Sequence, residues 1–149
     1  MIDLENKIIT SNISIFYVYI KNDVNIDNGD FFGTILNESY NFAIDFNSFR
    51  NMMEVLEGLF NYVNFPMATH EERTFQKKEK KNHTLPKELY PATLEMFKNQ
   101  KPDFLLHVQF RQNATWQGTL QWISTRKTKR FRSELELLEL ILNAMHCEL

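Results

Sequence analysis

The sequence predicts an α+β fold made of two fused β-β-β-α repeats, with antiparallel sheets and with the helices packed on one face. Two observations support this prediction: a set of residues recurs at a constant offset of 85, and each half contains a helical stretch that begins at a serine. The recurring pairs are Phe31/Trp116, Gly33/Gly118, Thr34/Thr119, Ile35/Leu120, Ser39/Ser124, Phe46/Phe131 and Ser48/Ser133. We expect the two repeats to form one pseudo-symmetric unit.

The first repeat is predicted over residues 1–66. Ile13 to Lys21 is rich in β-branched and aromatic residues, which favours a strand. Asn22 to Asp30 contains an Asn-Gly pair, which is typical of a hairpin turn, and a second strand is predicted over Phe31 to Asn37.

The same repeat continues with a third strand and a helix. Apolar side chains occupy every second position from Tyr40 to Phe46, which is the period of a half-buried strand. Ser48 is a suitable helix cap, and the helical pattern that follows it ends before Pro66.

Residues 67–102 are predicted to be a charged linker with a short helix. Lys77 to Lys81 carries four lysines and one glutamate, a pattern typical of a solvated segment. Pro86 to Lys98 is predicted to form the short helix, with its apolar residues, Leu94 and Phe97 among them, turned inward.

The second repeat is predicted over residues 103–149. Alternation within a strand from Phe104 to Gln112 places Val108 and Phe110 on its inner side and Arg111 on its outer side. A tight turn at Asn113-Ala114 should connect this strand to the next.

Two further strands and a helix complete the second repeat. The strands are predicted over Thr115 to Ile123 and over Lys127 to Arg132. Ser133 and Glu136 form a capping box at the start of a leucine-rich helix.

Composition limits the class of protein. The 149 residues are 43% hydrophobic and include thirteen Phe, enough for a packed interior, and the single cysteine, Cys147, excludes an internal disulfide. We expect no signal peptide, no membrane helix and a cytoplasmic location, because no long apolar run is present.

Charge is distributed unevenly along the chain. Residues 1–70 hold three basic and nine acidic residues, and residues 71–149 hold fourteen basic and ten acidic residues. Such asymmetry suits either an electrostatic partner or attraction between the halves.

The second half carries a distinctive block. Residues 110–122, Phe-Arg-Gln-Asn-Ala-Thr-Trp-Gln-Gly-Thr-Leu-Gln-Trp, are followed by Phe131-Arg132-Ser133 and the leucine-rich helix. This block resembles a family of short proteins of Clostridia-like gut bacteria that has no established activity. The resemblance implies a bacterial setting and agrees with the predicted fold, but it implies no mechanism.

The first candidate binding cluster lies at the hairpin of the second repeat. It comprises Arg111, Gln112, Asn113, Trp116, Gln117 and Trp122. Arginine and amide side chains can bond bases, phosphates or a partner's backbone, and tryptophan can stack on a base or fill a partner's pocket. The alternative is structural: Trp116 and Trp122 lie on one face of a strand and fill the core, while Arg111 and Gln117 hold the turn.

The second candidate is the basic third strand of the second repeat. Its cations are Arg126, Lys127, Lys129, Arg130 and Arg132. They could neutralise phosphates, and the matching stretch of the first repeat, residues 41–47, has no cation. The alternative is that these charges protect an edge strand from pairing with another sheet.

The sequence offers no catalytic, metal or cofactor site. The four histidines, His70, His83, His107 and His146, lack metal-ligand spacing, and no phosphate loop or nucleophile motif is present. We therefore expect no catalytic residue, no metal and no cofactor.

These features predict a small non-enzymatic binding protein whose partner is a protein or a nucleic acid. The predicted contact surface is the hairpin at residues 111–117 together with the basic strand at 126–132. Two alternatives remain open. One is an inhibitor carried by a phage or mobile element, of the anti-CRISPR type, that uses acidic residues such as Asp23, Asp27 and Asp30. The other is a receptor for a nucleotide second messenger. A homodimer is compatible with either.

Overall fold

The computed structural model describes residues 2–21, 30–69 and 83–146, and the chain folds as an α+β protein. The predicted Asn-Gly turn at residues 22–29 and the lysine run at 77–81 lie outside the described residues. The elements are β1 (Ile15–Lys21), β2 (Phe32–Asn37), β3 (Phe42–Phe46), α1 (Phe49–Val63), β4 (Ala68–Thr69), β5 (Tyr90–Pro91), β6 (Phe104–Gln112), β7 (Gln117–Trp122), β8 (Lys127–Phe131) and α2 (Glu134–His146). Two single-turn 3-10 helices span Ser11–Ser14 and Leu94–Phe97.

Seven strands form one antiparallel sheet in the order β5-β3-β2-β1-β6-β7-β8. The short β4 pairs in parallel with the end of β6. At the centre, β1 and β6 pair so that Tyr17 lies opposite Leu105 and Ile15 lies opposite His107. This pairing joins the first three strands to the last three and leaves β8 at an outer edge of the described sheet.

Both helices pack on the same face of the sheet, as the alternation of apolar residues predicts. The largest core cluster contains side chains from both helices and from all six long strands. Phe60 of α1 illustrates the packing, because its ring lies 6.3 Å from that of Phe16 and 5.5 Å from that of Trp116. One face of the sheet is therefore buried under the two helices, and the candidate site lies on the opposite face.

The helix starts agree with the predicted caps. The Ser48 hydroxyl accepts a hydrogen bond from the Asn51 backbone N–H at 3.0 Å. The Ser133 hydroxyl accepts the corresponding bond from Glu136 at 3.1 Å. A serine cap of this kind satisfies one of the backbone donors that every helix leaves unpaired at its start.

The segment after residue 83 differs from its prediction. Instead of a helix over Pro86 to Lys98, the chain forms β5 and then the single 3-10 turn Leu94–Phe97. Pro91 explains the difference: it has no backbone N–H to donate and it keeps the preceding residue extended, so Tyr90 pairs with Ala43 of β3. Phe97 is buried as predicted, whereas Leu94 is 40% exposed.

Gly33 and Gly118, which correspond at the 85-residue offset, are both required by close backbone contact. A Cβ atom on Gly33 would lie 1.9 Å from the Tyr19 carbonyl oxygen, and one on Gly118 would lie 1.9 Å from that of His107. No side chain fits at such distances, so the neighbouring strand would have to move.

We predict that Gly118→Ala lowers the free energy of unfolding by about 2 kcal/mol or more, since overpacking of this kind displaces backbone. Urea denaturation measures the effect. Gly58→Ala in α1 is the matched control: its Cβ would meet only the Pro86 ring, at 3.2 Å, and alanine favours the helix. Equal destabilisation by the two variants would contradict the close-contact explanation.

Candidate functional site

The sheet face opposite the helices is covered over the first half of the molecule. Ala92 and Phe97 pack there against Tyr19, Leu36 and Ala43 in a second, smaller core cluster. The segment from Tyr90 to Phe97, which we call the cover, begins with β5, so the pairing of β5 with β3 holds it against the sheet.

A polar contact fastens this cover to the sheet. The Tyr90 hydroxyl donates to Asp45 Oδ1 at 2.8 Å, and the Thr34 hydroxyl donates to the same oxygen at 2.8 Å. Burial, together with the hydrogen bond to the Asp45 carboxylate, raises the pKa of Tyr90 to about 12. The phenol therefore stays protonated and keeps donating across the physiological pH range.

Over the second half, no described segment forms a comparable cover. Two rows of side chains cross β1, β6, β7 and β8 on this side, because paired residues of neighbouring strands point to the same face. We call these residues the open face: Tyr17, Leu105, Gln121 and Thr128 in one row, and Ile15, His107, Thr119 and Arg130 in the other. The β1, β6 and β7 members are partly exposed, and the β8 members are exposed.

A β-bulge extends the open face with an aromatic side chain. The register between β6 and β7 shifts between Val108 and Phe110, so that Phe110 pairs with Gln117. Phe110 therefore joins the open face and is 48% exposed, while Arg111 turns to the helix side. Simple alternation predicted the reverse for both residues, and that prediction is wrong because it did not include the extra residue of the bulge.

Arg111 is a buried structural residue rather than a surface one. Its side chain is 3% exposed and donates to Glu57 Oε1 and Asn61 Oδ1, each at 2.8 Å. It also donates to the backbone carbonyls of Phe60 and Pro66, at the end of α1 and just beyond it. Arg111 therefore fastens β6 to the end of α1.

Trp116 is also internal. It is 2% exposed, and its indole N–H donates to Glu57 Oε2 at 2.6 Å. One oxygen of the Glu57 carboxylate accepts from Arg111 and the other accepts from Trp116, so Glu57 links the two side chains. Trp116 therefore fills the core, as the structural alternative predicted, whereas Arg111 bonds the end of α1 instead of holding the turn. Both side chains are buried, so neither contributes to an exposed surface.

The remaining hairpin residues form the turn between β6 and β7. Asn113 and Ala114 have φ values of 57° and 58°, and Gln112 and Asn113 are exposed. The Gln117 amide closes the turn, because it accepts from the Gln112 N–H at 2.9 Å and donates to the Gln112 and Thr115 carbonyls at 3.0 Å.

The five predicted cations of the basic strand all lie on the surface. Arg126, Lys127, Lys129, Arg130 and Arg132 are all exposed. Arg132 pairs with Glu136 at 3.2 Å, and this contact holds the pKa of Glu136 below its usual value. Within the described parts of the chain, the other four cations form no ion pair.

Four exposed cations next to the open face lie on β8 and in the turn before it. Burial lowers the pKa of His107, the one histidine of the open face, so its imidazole is neutral at pH 7. Arg130 pairs with Thr119 of the open face, but at this outer edge its side chain also lines a cavity of about 300 Å³ with Glu136 and Glu139 of α2. An anion would thus meet less opposing charge over the open face than on this helix side.

Several residues of the open face were not singled out by sequence reasoning. Tyr17, His107, Thr119 and Gln121 lie on four-residue rows that only the strand register reveals, and Phe110 joins them only through the bulge. The sequence does carry one sign of this face: every second residue of β6 and β7 is polar, as at His107, Thr119 and Gln121, and polar residues at this spacing indicate a sheet face that is not buried. Of the acidic residues considered for an inhibitor, Asp23 and Asp27 lie outside the described residues, and Asp30 is exposed.

Neither a metal cluster nor a membrane helix is found among the residues that the structure describes. No group of three His, Cys, Asp or Glu side chains in that part of the chain could hold a metal ion. None of its helices has the length and apolar character to span a bilayer.

No protein family matches the sequence, and neither a curated protein nor a solved structure matches the chain.

We predict that Arg111→Ala lowers the free energy of unfolding by about 3 kcal/mol, because it leaves the buried Pro66 carbonyl and Glu57 Oε1 without the arginine that donates to them. Arg130→Ala, which removes an exposed arginine from the same sheet, should change it by less than about 0.5 kcal/mol. Chemical denaturation of both variants measures the difference. A stability loss for Arg130→Ala as large as that for Arg111→Ala would contradict these assignments.

Proposed function

We propose that this protein is a non-enzymatic binding protein that holds single-stranded nucleic acid against the open face with the cations of β8. One observation carries the proposal: four exposed cations border a sheet face that has aromatic and amide side chains and that no described segment covers. These cations, Arg126, Lys127, Lys129 and Arg130, form no ion pair with any residue of the described ranges. The proposal keeps the basic strand of the predicted contact surface and replaces Arg111 and Trp116 with open-face residues.

Electrostatics supports a polyanion as the partner. Exposed lysine and arginine side chains neutralise phosphates and release counterions, which provides affinity without sequence preference. Strand pairing places Arg130 beside Thr119 and Lys129 beside Leu120, so cations project on both sides of the edge strand. Phosphates could therefore lie along β8 while the rest of each nucleotide reaches over the sheet.

The side chains of the open face favour single strands over duplexes. Tyr17, His107 and Phe110 present rings, and Gln121 and Thr119 present hydrogen-bonding groups. Unpaired bases can stack on such rings and bond such groups, whereas a duplex keeps its base faces inside. A β-sheet with aromatic residues is a recurrent platform for single-stranded RNA.

We further propose that the two β-β-β-α units derive from one duplicated unit, whose copies have diverged in function. Supporting this, Gly33 and Gly118 meet the backbone of their neighbouring strands at the same distance, and Ser48 and Ser133 cap corresponding helices. The copies differ where a ligand would bind: the segment after β5 covers one copy's outer face, and cations border the other's.

The protein should bind a fluorescently labelled single-stranded oligonucleotide with strong salt dependence. Four phosphate contacts predict a slope of log K against log salt of about −3, from about −0.7 per contact. The double variant Lys129→Glu/Arg130→Glu should reduce the slope to about −1.5 and weaken binding at low salt by more than about tenfold. Fluorescence anisotropy across a salt series measures both.

The matched control is Arg50→Glu/Lys87→Glu, which makes the same change in net charge. Arg50 lies on α1, and Lys87 follows Pro86, whose ring faces Gly58 of that helix. This control should bind within about threefold of the wild type, since its changes lie away from the open face. Absence of binding at low salt, or an equal loss in the control, would overturn the proposal and favour edge protection as the role of the β8 charges.

A further inference from the structure

A cavity lies where the open face meets the cover over the first half. It has a volume of about 490 Å³ and is bounded by the sheet on one side and the 3-10 turn on the other. Its walls include Tyr17, Tyr19, Leu94, Phe97, Lys98 and Gln100. Cavities of this size, with apolar walls and a few polar groups, are typical of small-ligand sites.

Tyr19 gives this cavity an unusual polar group. Its ring stacks on Phe97 with a centroid distance of 5.1 Å, and the residue is only 4% exposed. Its hydroxyl is buried and has no hydrogen-bond partner among the residues that the structure describes. By contrast, the Tyr40 hydroxyl accepts from the Thr10 N–H at 2.9 Å and donates to the Ile8 carbonyl at 2.8 Å. Since buried polar groups in folded proteins are nearly always bonded, the Tyr19 hydroxyl is available to bond a polar atom of a ligand.

We propose that this cavity receives one nucleobase of the strand bound at β8, with the base stacked on Tyr17 and one of its acceptor atoms bonded to the Tyr19 hydroxyl. The inference rests on the proposed function and deepens it by assigning a base-binding pocket. A nucleobase has the two properties that these walls require, namely a flat aromatic face and carbonyl or ring-nitrogen acceptors at its edge.

The position of Tyr17 connects the pocket to the cations. Tyr17 belongs both to the cavity wall and to the row that runs through Leu105 and Gln121 to Thr128 of β8. Three strand spacings separate β1 from β8, about 14 Å, so a few nucleotides of an extended strand can span them. The Tyr19 hydroxyl is not exposed to the cavity in the free protein, so a side chain of the cavity wall must change its conformation when the base binds.

The test compares an ordinary single-stranded oligonucleotide with an abasic oligomer of the same length and phosphate count. The wild type should bind the ordinary oligomer about tenfold more tightly, because stacking adds affinity for each captured base. A 2-aminopurine placed in the oligomer should lose fluorescence on binding, and Tyr17→Leu should abolish this loss.

Tyr19→Phe separates ligand binding from folding. It should leave thermal stability unchanged or raised, since the lost hydroxyl has no partner in the free protein, yet reduce the preference for bases. Tyr40→Phe is the matched control: it should lower thermal stability and leave the base preference intact. A Tyr19→Phe variant that keeps the full base preference would overturn the role of the hydroxyl.

The outcomes distinguish this inference from the proposed function. Equal binding of ordinary and abasic oligomers would overturn the pocket together with base stacking on the open-face rings, while leaving phosphate binding by the cations of β8 intact. Failure to bind either oligomer would overturn the proposed function itself. If free nucleoside monophosphates bind as tightly as the oligomer, the cavity is a receptor for free nucleotides, and its assignment to a bound strand is overturned.

Discussion

The antiparallel pairing of β1 with β6 is the contact on which the rest of the structure depends. It joins the first three strands to the last three, and it fixes Tyr17 beside Leu105 and Ile15 beside His107. Asp103 holds the end of this pairing: its N–H donates to the Val18 carbonyl at 2.8 Å, and its carboxylate accepts from the Ile20 N–H at 2.7 Å. Because side chains alternate between faces, a slip of one residue here would exchange the open face with the core.

The two halves of the sheet then differ in what covers them. Over the first half, β5 and the 3-10 turn bury the outer face, and Tyr90 fastens them to Asp45. Over the second half, the bulge near Phe110 turns Arg111 inward, where it anchors β6 to α1 through Glu57. One irregular residue thus supplies both a structural arginine on the helix side and an exposed ring on the open face.

The sequence was sufficient for features that depend on local chemistry. Alternation and β-branched residues located the six long strands, and serines located the helix starts. It could not locate the bulge, because an inserted strand residue leaves no signal of its own; hence Phe110 and Arg111 exchanged sides. The open face was equally hidden, since its rows depend on pairings between residues as distant as Tyr17 and Leu105. The position of Pro91 could have argued against the predicted helix.

Contact between nucleic acid and the open face is the step on which the proposed function depends. Titration of isotope-labelled protein with a single-stranded oligonucleotide, followed by amide chemical shifts in NMR spectra, tests it most directly. Shift changes concentrated at Tyr17, Thr119, Gln121 and Arg130, with the amides of α1 and α2 unchanged, are the predicted result. Changes confined to the groove between the helices, which Met53, Leu135 and Leu138 line, would contradict it.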